Sequence, residues 1–217
     1  MLRELVPASV CVAAGPLLVA QLTAHERNSI GPVNDCRLRE FASGRIYAKR
    51  ALAMLGVADA ELAAGTDRQP LWPEGAVGSI SHITDPESGG YFAAAVAPAN
   101  MVRKIGIDAE FEDRLHPHIW PQVLTKRELS RLTTLASNAR RAEALCLWCA
   151  KEATIKVVGQ PIDPADIDIE HVAEQREFTA KITGRNPIAL PKKMIGRIAT
   201  SQGLVFAIVV ILREPSG

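Results

Sequence analysis

The spacing of apolar positions changes along the chain in an order that predicts a mixed fold. From Arg37 to Leu55 the period is helical: Leu38, Phe41, Ile46, Leu52 and Leu55 can share a face, and Gly56 follows as a stop. Gly44 is a weak point inside that helix. Thr23-Ala24-His25-Glu26-Arg27 reads as an earlier helix start, with Thr23 as N-cap. Turn residues crowd the next stretch at Gly65, Pro70, Pro73, Gly75 and Gly78. Three short runs then read as strands: Val77–His82, Tyr91–Val96 and Val102–Glu110. Asp85–Gly90 is a loop between the first two, and Pro98-Ala99-Asn100 is a hairpin connection between the last two.

Helical spacing returns over Pro121–Leu135 and over Ala139–Val158, the latter ending at Gly159. Asp163–Glu170, Glu177–Thr183 and Leu204–Leu212 read as strands, the last a β-branched run suited to burial. Helix then strands, twice over, predicts an α+β fold of two halves, residues 1–104 and 105–217. No strong sequence repeat links them. The apolar segment Val10–Leu22 contains Gly15 and Pro16 and lacks a charged lead with a cleavage site, so it is expected to be folded structure.

Composition narrows the class without naming it. The 217 residues are 47% hydrophobic and 23% charged, with a net charge of +1. That is enough chain for a proper core, and the balance gives no reason to expect a nucleic-acid partner. No apolar run reaches the roughly 18 to 20 residues of a membrane helix, so no membrane insertion is expected. Cys11, Cys36, Cys146 and Cys149 form no disulfide framework, and a reducing cytoplasm is the expected compartment. Cys146-Leu147-Trp148-Cys149 has no second Cys/His pair at zinc spacing and reads as two thiols near a buried helix face. His116-Pro117-His118 lacks a third ligand and reads as a surface loop.

Candidate chemistry sits in two segments. Asp108 and Glu110 are two apart in a strand, so both point to one face while Ile107 and Ala109 turn to the core. Gly106 just before them lets another element approach closely. Glu152 and Lys156 are four apart on a helix and share a face. Lys151 precedes Glu152. Three carboxylates suit a hard cation such as Mg²⁺, and lysines beside it suit a polyphosphate. Taken singly, each pair has a plainer reading: two solvated acids at a strand end, or a surface ion pair. Ser81-His82 ends a strand, where a phosphate contact competes with a turn hydroxyl and a half-buried imidazole. Arg37, Arg39, Arg45, Lys49 and Arg50 give the first long helix a positive bias.

These residues, in this order, resemble the 4′-phosphopantetheinyl transferases of the large monomeric type, close to the enterobactin-synthase-component branch. The likeness runs from Arg37…Glu40-Phe41…Gly44-Arg45 through Gln69-Pro70-Leu71-Trp72-Pro73-Glu74-Gly75 and Gly78-Ser79-Ile80-Ser81-His82. It continues to Ile105-Gly106-Ile107-Asp108-Ala109-Glu110 and Trp148…Lys151-Glu152-Ala153…Lys156. It implies two similar α+β halves packed as a pseudo-dimer, with coenzyme A at the seam. It also implies transfer of the phosphopantetheine arm to a serine of an acyl or peptidyl carrier protein, in fatty acid, polyketide, non-ribosomal peptide or siderophore synthesis.

The resemblance assigns Asp108, Glu110 and Glu152 to Mg²⁺ and Lys156 to the pyrophosphate. It places Arg37 and Arg45 near the adenosine 3′-phosphate, Ser81 and His82 on phosphate, and Arg68 in the loop bordering the nucleotide. Catalysis is expected of Asp108, Glu152 and Lys156, with Glu152 as the base. Ala109, Cys149 and Ala153 depart from common family choices, and Gln69 stands where a lysine is frequent. A different Mg²⁺ phosphohydrolase or nuclease, or a non-catalytic carrier-binding module, would use some of the same residues. The basic stretch from Asp113 to Arg141, with Lys126 and Arg127, is the expected carrier-docking surface.

Overall fold

The computed structural model describes residues 2–19, 21–85, 89–112, 114–183 and 190–214. Residues 86–88 of the expected Asp85–Gly90 loop, and Asp113 at the head of the expected docking stretch, lie outside them. The chain divides into two compact units, 7–105 with 212–217, and 1–6 with 106–211.

In the first unit, strands β1 (Cys11–Pro16), β2 (Ala76–Ile83) and β3 (Tyr91–Pro98) form an antiparallel sheet in the order β1-β3-β2. Helix α1 (Ala24–Ile30) begins with a capping box in which Thr23 and Glu26 satisfy each other's backbone N–H. Helix α2 (Asp35–Met54) is capped by Asn34, whose side chain accepts from the Arg37 N–H. It covers the sheet with Tyr47, Ala48, Ala51 and Leu52, which pack with Leu62, Phe92, Ala94 and Val96. Its buried face also holds Gly44 and Ala42, so small residues set the helix close to the sheet. The expected Leu38 and Ile46 are only half-buried.

In the second unit, β4 (Val102–Phe111), β5 (Ile167–Val172), β6 (Glu177–Ile182), β7 (Lys193–Ser201) and β8 (Leu204–Leu212) form a sheet in the order β4-β8-β7-β6-β5. The boundary between units falls within β4. Helices α3 (Trp120–Val123) and α4 (Lys126–Thr133) replace the single expected helix. Long helix α5 (Ser137–Val158) ends at Gly159 and buries Ala150, Ala153 and Val157 in the main core. Strand β7 was not expected from the sequence, because Gly196 interrupts it. The structure repairs the glycine: Phe178 on β6 lies directly across from it, and a Cβ there would run into the phenyl ring.

Each unit carries a polar clamp built on a buried glutamate and a lysine. In the second, the Thr125/Glu128 capping box buries Glu128 completely. Its Oε1 accepts from the Ile169 N–H at 2.7 Å, and its Oε2 pairs with the Lys151 ammonium at 2.8 Å. Arg131 donates to the Ile169 carbonyl at 3.1 Å. In the first unit, Glu26 accepts from the Leu62 N–H at 2.9 Å and pairs with Lys49 at 2.7 Å, and Arg45 Nε donates to the Leu62 carbonyl at 2.6 Å. The interval from glutamate to lysine is identical in the two units. The repeat that the sequence hides is thus written in buried polar contacts.

Among the described residues no helix is long and apolar enough to cross a membrane. The four cysteines are free, and three of them are buried.

Candidate functional site

Gly106 brings the chemistry together. A Cβ there would overlap the Ala153 carbonyl oxygen and crowd Val157, so only glycine lets β4 lie directly against α5. Two residues on, Asp108 emerges buried, and Glu152 and Lys156 stand on the adjoining face of α5. The Lys156 ammonium donates to Asp108 Oδ1 at 2.8 Å and to the Ile107 carbonyl at 2.9 Å. Burial alone would push that ammonium down, but Asp108 and then Glu152 outweigh it and hold the lysine above its ordinary value.

The acids repel one another. Burial first, then the Asp108 charge, push Glu110 up to about 7, against the pull of Lys156 and a hydrogen bond from Trp148. Burial and Asp108 likewise raise Glu152. A cation is the natural relief for three carboxylates so placed, and their all-oxygen donor set fits Mg²⁺ or a similar hard ion. Among the described residues no group of three or more His, Cys, Asp and Glu side chains is already gathered at ligating distance. In this arrangement Lys156 holds the Asp108 carboxylate.

Lys151, expected beside the cation, is elsewhere. It is fully buried and belongs to the Glu128 clamp, where the Pro164 and Ile167 carbonyls also accept from it. Adjacent residues on a helix point about 100° apart, and here that separates a site lysine from a structural one. Nearby, Cys149 is buried against the Val205 carbonyl, and burial pushes its thiol well up. Burial also pushes Cys146 up to about 12. Burial thus disfavours the reactive thiolate form of both.

In the other unit, Arg37, Glu40 and His82 form a polar cluster. Arg37 Nη1 lies 3.0 Å from Glu40 Oε2 and 3.1 Å from His82 Nε2, and the imidazole stacks on Phe92. Burial raises Glu40, but the Arg37 hydrogen bond and the His82 charge outweigh it and leave the carboxyl below its usual value. Glu40 is the member that chemical reasoning from the sequence overlooked; its spacing of three from Arg37 on α2 was the available signal. Ser81 is buried, and as its strand neighbour it points to the face opposite His82.

Arg45 is buried with its guanidinium over the Phe41 ring at 4.0 Å. Burial, opposed by the Glu26 charge, pushes it down to about 10. Its Nη2 has no hydrogen-bond partner among the described residues. Arg68 sits exposed in the turn closed by the Ala64–Pro70 bridge, with a left-handed φ of 62°.

Comparison with known proteins agrees with both units. Residues 25–97 match the model of the 4′-phosphopantetheinyl transferase N-terminal domain, and residues 104–191 match that of the 4′-phosphopantetheinyl transferase superfamily. The 4′-phosphopantetheinyl transferase Svp of Streptomyces mobaraensis is 31% identical over 83% of this chain and 74% of its own length. The 4′-phosphopantetheinyl transferase Npt of Nocardia iowensis is 37% identical over 72% and 68%. Enterobactin synthase component D of Salmonella typhi is 32% identical over 69% and 56%. With both of its halves matched and these relatives spanned over most of their length, the chain belongs to the 4′-phosphopantetheinyl transferase superfamily.

Proposed function

We propose that this chain moves the 4′-phosphopantetheine arm of coenzyme A onto a serine of an acyl or peptidyl carrier protein. The serine Oγ forms a bond to the β-phosphorus, the bridging P–O bond breaks, and adenosine 3′,5′-bisphosphate leaves. The observation that carries the reading is the β4–α5 contact, which puts Asp108, Glu110, Glu152 and Lys156 in one electrostatic cluster in a chain of this family.

Asp108, Glu110 and Glu152 would hold Mg²⁺, which when bound supplies charge neutralisation to the pyrophosphate. Lys156, kept charged by Asp108, steadies negative charge that builds on the leaving side. Glu152 takes the serine proton; burial and Asp108 raise its basicity, which suits that role. In the other unit, Arg37, Arg45 and His82 would offer donors to nucleotide phosphates; Ser81 and Arg68 keep the phosphate and nucleotide-loop roles that the family resemblance implies. The free buried thiols fit a reducing compartment such as the cytoplasm.

The test is direct. Purified protein is incubated with coenzyme A, Mg²⁺ and a panel of apo-carriers, and carrier mass is read. A gain of one phosphopantetheine supports the reading. Hydrolysed coenzyme A with an unmodified carrier would make the chain a phosphohydrolase, and a bound but unmodified carrier would make it a binding module.

Arg45 should show two effects at once. Its Nε holds the Leu62 carbonyl, while Nη2 has a donor to spare. Arg45→Ala is expected to weaken coenzyme A about ten- to a hundredfold, as for loss of a charge-assisted hydrogen bond. It should also lower the urea midpoint. Dephospho-coenzyme A, which lacks the 3′-phosphate, should lose far less affinity by calorimetry; equal losses would leave Arg45 a folding role alone.

The basic docking stretch is thinner than its sequence suggests. Arg127 pairs with Asp168 at 2.7 Å, Arg131 bonds Ile169, and Arg140 bonds the Leu135 carbonyl. Lys126 is exposed at the start of α4. Lys126→Glu is expected to raise the carrier KM about fivefold at low salt, the size of one exposed charge interaction. The coenzyme A KM should not move, and the carrier effect should shrink as salt rises. An unchanged carrier KM at low salt would put docking elsewhere.

A further inference from the structure

The lysines of the two clamps differ in their partners. Lys151 spends its three donors on Glu128, Pro164 and Ile167, and is fully buried. Lys49, its counterpart, bonds only Glu26 among the described residues, and its side chain is 33% exposed. Where the second unit supplies carbonyls from the segment leading into β5, the first unit has a cleft of about 770 Å³. The size is that of a small-molecule site.

The walls of this cleft are sorted by chemistry. Ile46, Lys49 and Arg50 line it from α2, and Val57, Asp59 and Glu61 line it from the segment that follows. Arg50 lies over the Tyr47 ring at 5.4 Å and makes no hydrogen bond or ion pair among the described residues. Asp59 and Glu61 likewise have no such partner there and are exposed. Asp59 is held in a left-handed conformation, φ 55°. Cations with open donors therefore stand on one wall, unpaired carboxylates on the other, and Ile46, Ala53 and Val57 give apolar surface between. The transfer reaction proposed for Asp108, Glu110, Glu152 and Lys156 draws on none of these residues.

We propose that this cleft binds a small zwitterion, an α-amino acid with an apolar side chain. Its carboxylate takes the place that main-chain carbonyls hold beside Lys151, accepting from Lys49 and Arg50. Its ammonium meets Asp59 and Glu61, and its side chain lies on Ile46, Ala53 and Val57. A simple anion would be opposed by the two acids and a simple amine by the two cations; a zwitterion satisfies both walls.

The probe is L-leucine, titrated into the ¹⁵N-labelled full chain to about 10 mM, the range of a weak metabolite site. Amide shifts are expected to be confined to residues 49–53 and 57–61. Leucinamide lacks the carboxylate and 4-methylpentanoate lacks the ammonium, and each should bind at least about tenfold more weakly. Arg50→Ala should weaken leucine by a similar factor with an unchanged melting temperature. Glu61→Gln should weaken leucine but not 4-methylpentanoate. Lys49 itself is left intact, because its loss would strand Glu26 as a buried charge. Absence of localised shifts at the highest leucine concentration overturns the proposal. So does binding of 4-methylpentanoate as tight as leucine, which would make the cleft a plain anion site.

Discussion

Asp108→Asn is expected to cut phosphopantetheine transfer by at least about a hundredfold at limiting Mg²⁺, because partners one shell further out already cost about 10- to 100-fold. The amide keeps the volume of a buried side chain and still offers Lys156 an acceptor, so the fold should hold. Only the charge is lost. The pH profile gives a second readout. Burial and Asp108 push Glu110 up to about 7, so below that pH a proton competes with the cation for the cluster. Activity of the parent at fixed Mg²⁺ should therefore fall as pH drops through 7, and added Mg²⁺ should restore it. With the Asp108 charge gone, Glu110 is raised less and the fall should begin at lower pH. Near-normal transfer by Asp108→Asn at limiting Mg²⁺ would sink the assignment.

Lys151→Ala should do the opposite: little to the transition state, much to the fold. Among the described residues its ammonium is the cation paired with the fully buried Glu128, and removing one partner of such a pair costs about 3–5 kcal/mol. Urea unfolding should lose that much, with the coenzyme A KM of the remaining folded protein unchanged. Replacing both partners, as in Glu128→Gln with Lys151→Met, should recover part of the loss. If Lys151→Ala keeps full stability but loses turnover, the lysine belongs to the reaction after all.

Why the sequence misplaced Lys151 is instructive. Alternation in β4 tells which way Asp108 and Glu110 point, since a strand has only two faces. A helix has more, and Lys151-Glu152 in a helix buried on most sides does not say which member meets the sheet. The buried glutamates were announced by two Thr-x-x-Glu signatures, Thr23/Glu26 and Thr125/Glu128. Nothing local tells that such a cap will be sealed from water. The same limit applies to Arg45: it is expected at a phosphate, and nothing local tells that Phe41 and Leu62 will enclose it. Helix α5 and strand β8 were legible because their apolar runs are long. Strand β7 was not, because Gly196 is rescued by a phenyl ring from another strand.

The clamp around Glu128 has a consequence for how this protein would fail. Strand β5 ends its sheet, and the Thr183 N–H bonds the Asp166 carbonyl, so Ile167 and Ile169 direct their backbone groups outward. Those groups are taken by Lys151, Glu128 and Arg131. A foreign strand arriving at Ile167 and Ile169 finds these donors and acceptors already taken, the Ile167 N–H by the Pro164 carbonyl. Loosen the clamp, and an isoleucine-rich strand edge becomes a template of the kind that seeds intermolecular pairing. Variants weakened at Glu128 should accordingly be lost to insoluble aggregates, whereas equally weakened variants elsewhere in the core stay in solution as unfolded chain.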